Sequence, residues 1–415
     1  MTHNPPPQPP NGQQDPDVTY PPGSPQTPSE PHQAGSPQPG LEPAQQAQPR
    51  RWVELVAVAA LAAILAAILS SAGTYALTRG DVGASPAASP PRVVQANPAA
   101  PNWTVTAAVV SPCVVAITVV SGQGGSQGSG VIFNARGDIM TNNHVVAVGG
   151  QGSKISVTLN DKRVYDATVV GTDPPSDLAV IRMVAAPNDL KPIALGDADT
   201  LKVGEPVMAV GNPLGLAGTV TTGIVSALDR PVTASAQPSP DPFAQGAEPA
   251  VTNAVQTSAP INPGNSGGAL VNGGGLLVGI NSSIATLGSS GNIGIGFAIP
   301  VNESKSVAEQ LITSGKAVHG FLGVTPRDAI VVDGPAKRPA AAIINVGSGT
   351  PAEQAGLKVG DAIIAVDGEP IDGALSLIAQ VRERTAGDKI TLTVLSDGKT
   401  RQVSVTLAGS PTTSR

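Results

Sequence analysis

The segment Ile261-Asn262-Pro263-Gly264-Asn265-Ser266-Gly267-Gly268 has the residue types that a serine nucleophile needs around it. Glycine adopts backbone angles that other residues avoid, so a glycine-flanked turn can aim successive N–H groups into one cavity. The N–H groups of Gly264 and Ser266, aimed in this way, would stabilise the oxyanion formed when a hydroxyl attacks a carbonyl. A serine hydroxyl is a weak nucleophile until a base takes its proton, and the base must itself be oriented. Of the 4 histidines, His3 and His32 lie in a Pro-rich stretch and His319 lies far downstream, near a change of texture that reads as a domain boundary. His144, in Thr141-Asn142-Asn143-His144-Val145-Val146, adjoins an apolar strand-like run and is the candidate base. Asp177, which opens Asp177-Leu178-Ala179-Val180-Ile181, is the candidate orienting acid, with Asp173 in the same loop as its rival. The order His, Asp, Ser, each in such a setting, points to acyl transfer more specifically than any one of the three.

Such residues need rigid elements to hold them. After about residue 103 the chain shows many short strand candidates separated by Gly, Asn and Asp: Val114–Val120, Ser129–Asn134, Lys154–Leu159, Ala167–Thr172, Leu178–Met183 and Pro206–Gly211. That spacing, with little helical periodicity, favours a barrel or sandwich. Val301–Ser314 is the best helix candidate, stopped by Gly315. Between Arg230 and Ala254 the pattern breaks into a Pro/Ala/Ser/Gln-rich loop, an exposed insertion or a regulatory segment. Cys113, the single cysteine, lies in an apolar run and reads as a small core residue of a strand. It excludes an intrachain disulfide.

Composition bounds the remainder. The chain has 415 residues, 48 Gly, 41 Pro and only 2% aromatic residues, so its cores rest on Val, Ile, Leu and Ala. A net charge of −6 gives no reason to expect nucleic acid as a partner. The histidines are too scattered for a metal cluster, and serine-based acyl transfer needs no cofactor. Residues 1–51 are Pro/Gln-rich and read as a disordered cytoplasmic tail. Residues 52–78 contain an almost unbroken apolar run, Leu55 to Leu77, longer than the ~20 residues that span a bilayer. Arg50 and Arg51 precede it and place the N-terminus inside. Residues 79–102 then read as an Ala/Pro/Ser-rich tether.

Thr141–Val145, Asp177–Val180 and Gly264–Gly268 resemble the histidine, aspartate and serine motifs of the HtrA (DegP-like) serine proteases, especially the membrane-anchored actinobacterial members. Gly211-Asn212-Pro213-Leu214-Gly215, Thr219–Ser226 and Ile295–Pro300 match further segments of that family. The resemblance implies an all-β protease domain, a trypsin-like double six-stranded β-barrel over 103–315, with His144 and Asp177 in the first barrel and Ser266 in the second. It implies one α+β PDZ domain over 316–409, before a flexible 410–415. There Gly320-Phe321-Leu322-Gly323 would present N–H groups to the carboxylate of a peptide with a free C-terminus. Where trypsin-like enzymes selective for basic side chains have an Asp, this chain has Pro260, so small or medium aliphatic P1 residues are expected. The family likeness further implies unfolded or misfolded protein substrates, envelope quality control and a homotrimer. A holding protein or PDZ scaffold with little proteolysis is the competing class.

Overall fold

The computed structural model describes residues 90, 92–98, 100–122, 124–148, 152–213, 218–234, 250–283 and 294–410, all within the unit Pro86–Arg415. The expected tail, membrane helix and residues 79–89 of the tether lie outside these residues, as do 411–415. Among the described residues no helix is long and apolar enough to cross a membrane.

Val/Ile-rich segments form the strands, as β-branched side chains fit a pleated, half-buried surface. After a short helix α1 (Trp103–Val110), the strands β1 (Val114–Ser121), β2 (Gly124–Ile132), β3 (Asp138–Asn142), β4 (Lys154–Thr158), β5 (Val164–Asp173) and β6 (Leu178–Met183) close a barrel in the order β1-β2-β3-β6-β5-β4. A second barrel, ordered β10-β11-β12-β9-β8-β7, uses β7 (Pro206–Gly211), β8 (Thr219–Ala234), β9 (Ala250–Thr257), β10 (Ala269–Asn272), β11 (Leu277–Ser282) and β12 (Gly296–Pro300). The one-turn helix α2 (Asn143–Ala147) follows β3, and α3 (Val301–Ser314) follows β12. One apolar core joins the barrels: Val131, Met140 and Val180 from the first, Val207, Leu270 and Ile280 from the second, with Val307 and Leu311 of α3.

A separate core fills the C-terminal part. Strands β13 (Gly320–Phe321) and β20 (Ala408–Gly409) pair with each other. A second sheet runs β14 (Val324–Asp333), β15 (Ala336–Val346), β16 (Ala362–Val366), β18 (Lys389–Ser396), β19 (Lys399–Thr406). Strand β17 (Glu369–Pro370) pairs with β16, and the helices are α4 (Pro351–Gln354) and α5 (Ala374–Arg382).

Two local expectations change. Cys113 ends a tight turn, Ser111–Cys113, instead of lying in a strand, because Pro112 cannot donate a ladder bond. It is still buried, and burial pushes its thiol up to about 11. His144 adjoins the apolar strand β3, as expected, on the one-turn helix α2. The expected 231–254 loop is partly ladder, with Pro231 opposite Asn253, Val232 opposite Thr252 and Ala234 opposite Ala250. Only its 235–249 stretch lies outside the described residues. Leu311 is fully buried where α3 meets both barrels. Leu311→Ala should therefore lower unfolding stability by about 2–5 kcal/mol, read from urea denaturation.

Candidate active site

Asp177 follows the tight turn Pro174–Ser176 in the left-handed region, φ 56 and ψ 34, a conformation that Asp tolerates better than most residues. Its N–H reaches the Pro174 carbonyl at 3.2 Å. Its carbonyl accepts the Asn143 N–H at 2.9 Å and the Asn142 amide at 3.1 Å, which seats the start of α2. The buried carboxylate then accepts the backbone N–H of His144 at 3.0 Å and the His144 ring Nδ1 at 2.9 Å. Ser282 Oγ, at the end of β11 in the other barrel, donates to the same carboxylate at 3.3 Å. A carboxylate only accepts, so the Nδ1 of His144 carries the proton and Nε2 is left as a base.

The Ser266 turn is held by backbone bonds: Asn265 N–H to Asn262 at 3.0 Å, Gly268 N–H to Asn265 at 2.9 Å and Gly267 N–H to Asn281 at 2.9 Å. Gly267 has φ 80, and a Cβ there would strike the Ser129 carbonyl and Thr141 Oγ1. Gly264 has φ 99, and its Cβ would lie 2.6 Å from Pro213. Both positions need glycine. Among the described residues neither the Gly264 nor the Ser266 N–H donates to a protein acceptor. Both are thus free for an oxyanion.

Ser129 fixes the turn from the first barrel. Its N–H donates to the Ser266 carbonyl at 2.8 Å, its hydroxyl donates to the Gly264 carbonyl at 2.6 Å, and the same hydroxyl accepts the Asn212 N–H at 2.8 Å. Ser129, Ser282 and Ser283 were not legible as site residues in the sequence. The one available signal was Gly128 and Gly130 around Ser129, since glycine inside a strand often marks close approach of another chain segment. A Cβ on Gly128 would lie 2.7 Å from Val145.

The three expected triad residues come together unequally. Asp177 and His144 are bonded, whereas Ser266 Oγ accepts the Ser283 N–H at 3.1 Å and shares a 2.5 Å bond with Ser283 Oγ. No hydrogen bond joins it to His144 among the described residues. A hydroxyl on an sp³ rotor has several staggered wells, and in this one Ser283 offers it both a donor and an acceptor. At the C-terminal unit, Leu322 and Gly323 donate to no protein acceptor among the described residues. The Leu322 carbonyl is bonded to Ala352 and the Gly323 carbonyl to Gly347, each at 2.9 Å. Among the described residues no cluster of potential metal ligands occurs.

Residues 128–280 match the trypsin-like peptidase domain and residues 320–407 match the PDZ domain. The chain is 44% identical to serine protease PepD of Mycobacterium tuberculosis over 344 residues, 79% of this chain and 70% of that one. It is 43% identical to periplasmic serine endoprotease DegP of Escherichia coli over 301 residues, 69% of this chain but 59% of DegP. Among solved structures, the HtrA-type protease AlgW with a decapeptide aligns with a TM-score of 0.53 at 30% identity, covering 75% of this chain and 99% of that chain.

The Ser129 hydroxyl holds two backbone groups that shape the Ser266 turn. Ser129→Ala should leave both without that partner, destabilising the protein by about 1–3 kcal/mol. Peptide-hydrolysis assays should show kcat falling more than KM rises, because a loosened turn no longer holds the Gly264 and Ser266 N–H groups in place to meet charge that develops only in the transition state.

Proposed function

Because the chain belongs to the HtrA family of serine proteases, we propose that it works through a triad of His144, Asp177 and Ser266, with Gly264 and Ser266 N–H groups as its oxyanion hole. The observation that supports this most is the Asp177–His144 pair beside a glycine turn whose Gly264 and Ser266 N–H groups meet no protein acceptor among the described residues. Rotation of Ser266 away from Ser283 brings its hydroxyl to His144 Nε2. His144 takes the proton as the hydroxyl attacks the scissile carbonyl, then hands it to the leaving amine. Asp177 stabilises the imidazolium meanwhile. Water then cleaves the acyl-enzyme by the same route. The protein is a serine endopeptidase.

The finer reading is a membrane-anchored enzyme with an inside N-terminus, a protease domain over 103–315 and a PDZ domain over 316–409, both extracytoplasmic. Its substrates are unfolded proteins, and peptides with free C-termini bind at Gly320–Gly323. The apolar segment after Arg50 and Arg51 supports the anchor, and likeness to the periplasmic endoprotease DegP supports the location. Pro260 in place of an acid, and Gly296 packed on Ala259 and Ile261, support small aliphatic P1 residues. Assembly as a homotrimer rests on family likeness alone. The Ser266–Ser283 contact favours a second reading, low basal turnover with a holding role.

Ser266→Ala should abolish digestion of a casein-like unfolded protein, by at least about 10³-fold, without changing the melting temperature. Near-normal cleavage would refute the triad. Protease added to spheroplasts should remove the C-terminal domains and spare the tail; the reverse pattern would refute the topology. C-terminal amidation of a binding peptide should weaken its affinity for the PDZ unit. Unchanged affinity would refute carboxylate capture.

A further inference from the structure

His319 precedes β13, in the segment joining α3 to the PDZ sheets, and is 7% exposed. Both ring nitrogens are engaged. Nδ1 lies 2.9 Å from the carbonyl of Arg382, the last residue of α5, and Nε2 lies 2.8 Å from the carboxylate of Asp173. A carbonyl and an ionised carboxylate accept and cannot donate, so the ring donates through both nitrogens as an imidazolium. The same Asp173 oxygen accepts the hydroxyl of buried Ser176. Asp173 is also where the turn to Asp177 begins: it pairs with Leu178 across the β5–β6 ladder, and Pro174–Ser176 lies between.

We infer that His319 is a positioning residue through which α5 of the PDZ unit holds the turn that presents Asp177 to His144. This rests on the triad reading of Asp177. The chain of contacts is short: Arg382 carbonyl, His319 ring, Asp173 carboxylate, then Ser176 and the left-handed Asp177. A second contact anchors the same end of α5 to the other barrel, where Asn253 of β9 bonds both Asp229 and Glu383. A displaced α5 would thus pull on the Asp177 turn. All three triad residues lie upstream of Lys316, so on sequence order alone the PDZ unit is dispensable for basal cleavage; this linkage makes it a support.

The ionisable groups acting on His319 are Asp173 from the turn and Glu303 from α3; Arg382 and Glu383, at the end of α5, act in turn on Glu303. Burial pushes Glu303 up to about 8, with Glu383 adding to the shift, so at neutral pH it is mostly uncharged. Burial alone would push His319 down, but the Asp173 bond and charge, with the Arg382 carbonyl, outweigh it and hold the ring above the ordinary imidazole range. A raised folded-state pKa makes the contact complete at lower pH and weakens it as pH rises through that value.

The test uses the full-length chain, with kcat and KM for a small fluorogenic peptide followed from about pH 6 to about pH 9. His319→Gln should lower kcat about tenfold with KM within about twofold, and the deficit should shrink as pH rises. His319→Gln combined with Asp173→Asn should be no worse than Asp173→Asn alone. A lower melting temperature with unchanged kcat at every pH would mean a purely structural role and overturn the inference. In parallel, imidazole ¹⁵N shifts of the Ser266→Ala chain should show both His319 nitrogens protonated at neutral pH, and Asp173→Asn should abolish this. A neutral, single tautomer unaffected by Asp173→Asn would overturn it too. If the wild type shows no Ser266-dependent cleavage, the triad reading fails separately and the ¹⁵N shifts alone decide the His319 contact.

Discussion

The buried Asp177 carboxylate is the constraint from which the site follows. An ionised carboxylate removed from water is costly unless hydrogen bonds replace its hydration. Here the donors come from both barrels: backbone and ring of His144 from the first, the Ser282 hydroxyl from the second. Collecting them requires the left-handed turn at Asp177, the one-turn helix that carries His144, and the end of β11 brought alongside. The shared apolar core and α3 then serve to keep the two barrels in register around one small group.

The nucleophile turn obeys a different constraint, that of backbone shape. Ser129 supplies one hydroxyl and one N–H to the turn, so the first barrel braces a turn built by the second. The hydroxyl of Ser266 is not fixed by that brace. It is bonded to Ser283 and, among the described residues, not to His144, while the Asp177–His144 pair is in place. In the proposed triad, bringing Ser266 to His144 starts from a side-chain rotation away from Ser283.

Strong local patterns were readable in the sequence. The strands Leu178–Met183 and Pro206–Gly211 and the helix Val301–Ser314 occur with the expected ends, because a continuous apolar run or a Gly stop marks them locally. The pairing of Asp177 with His144 was legible from residue type and setting. The helices at Trp103–Val110 and Asn143–Ala147 were not, as each is too short to display a period. Pro231 hid the continuation of β8, and the exposed alternation of Val324–Asp333 gave no strong strand signal. Ser129, Ser282 and His319 act only through contacts distant in sequence. Asp173, which rivals Asp177 as a loop acid on sequence grounds, turns instead toward His319.

The most direct measurement of the central claim is the tautomer of His144, read from imidazole ¹⁵N shifts in the full-length chain above the titration of the ring. The account predicts a neutral ring protonated on Nδ1, held by Asp177, and a shift toward the Nε2-protonated form in Asp177→Asn. The same mixture of tautomers in both proteins would contradict it.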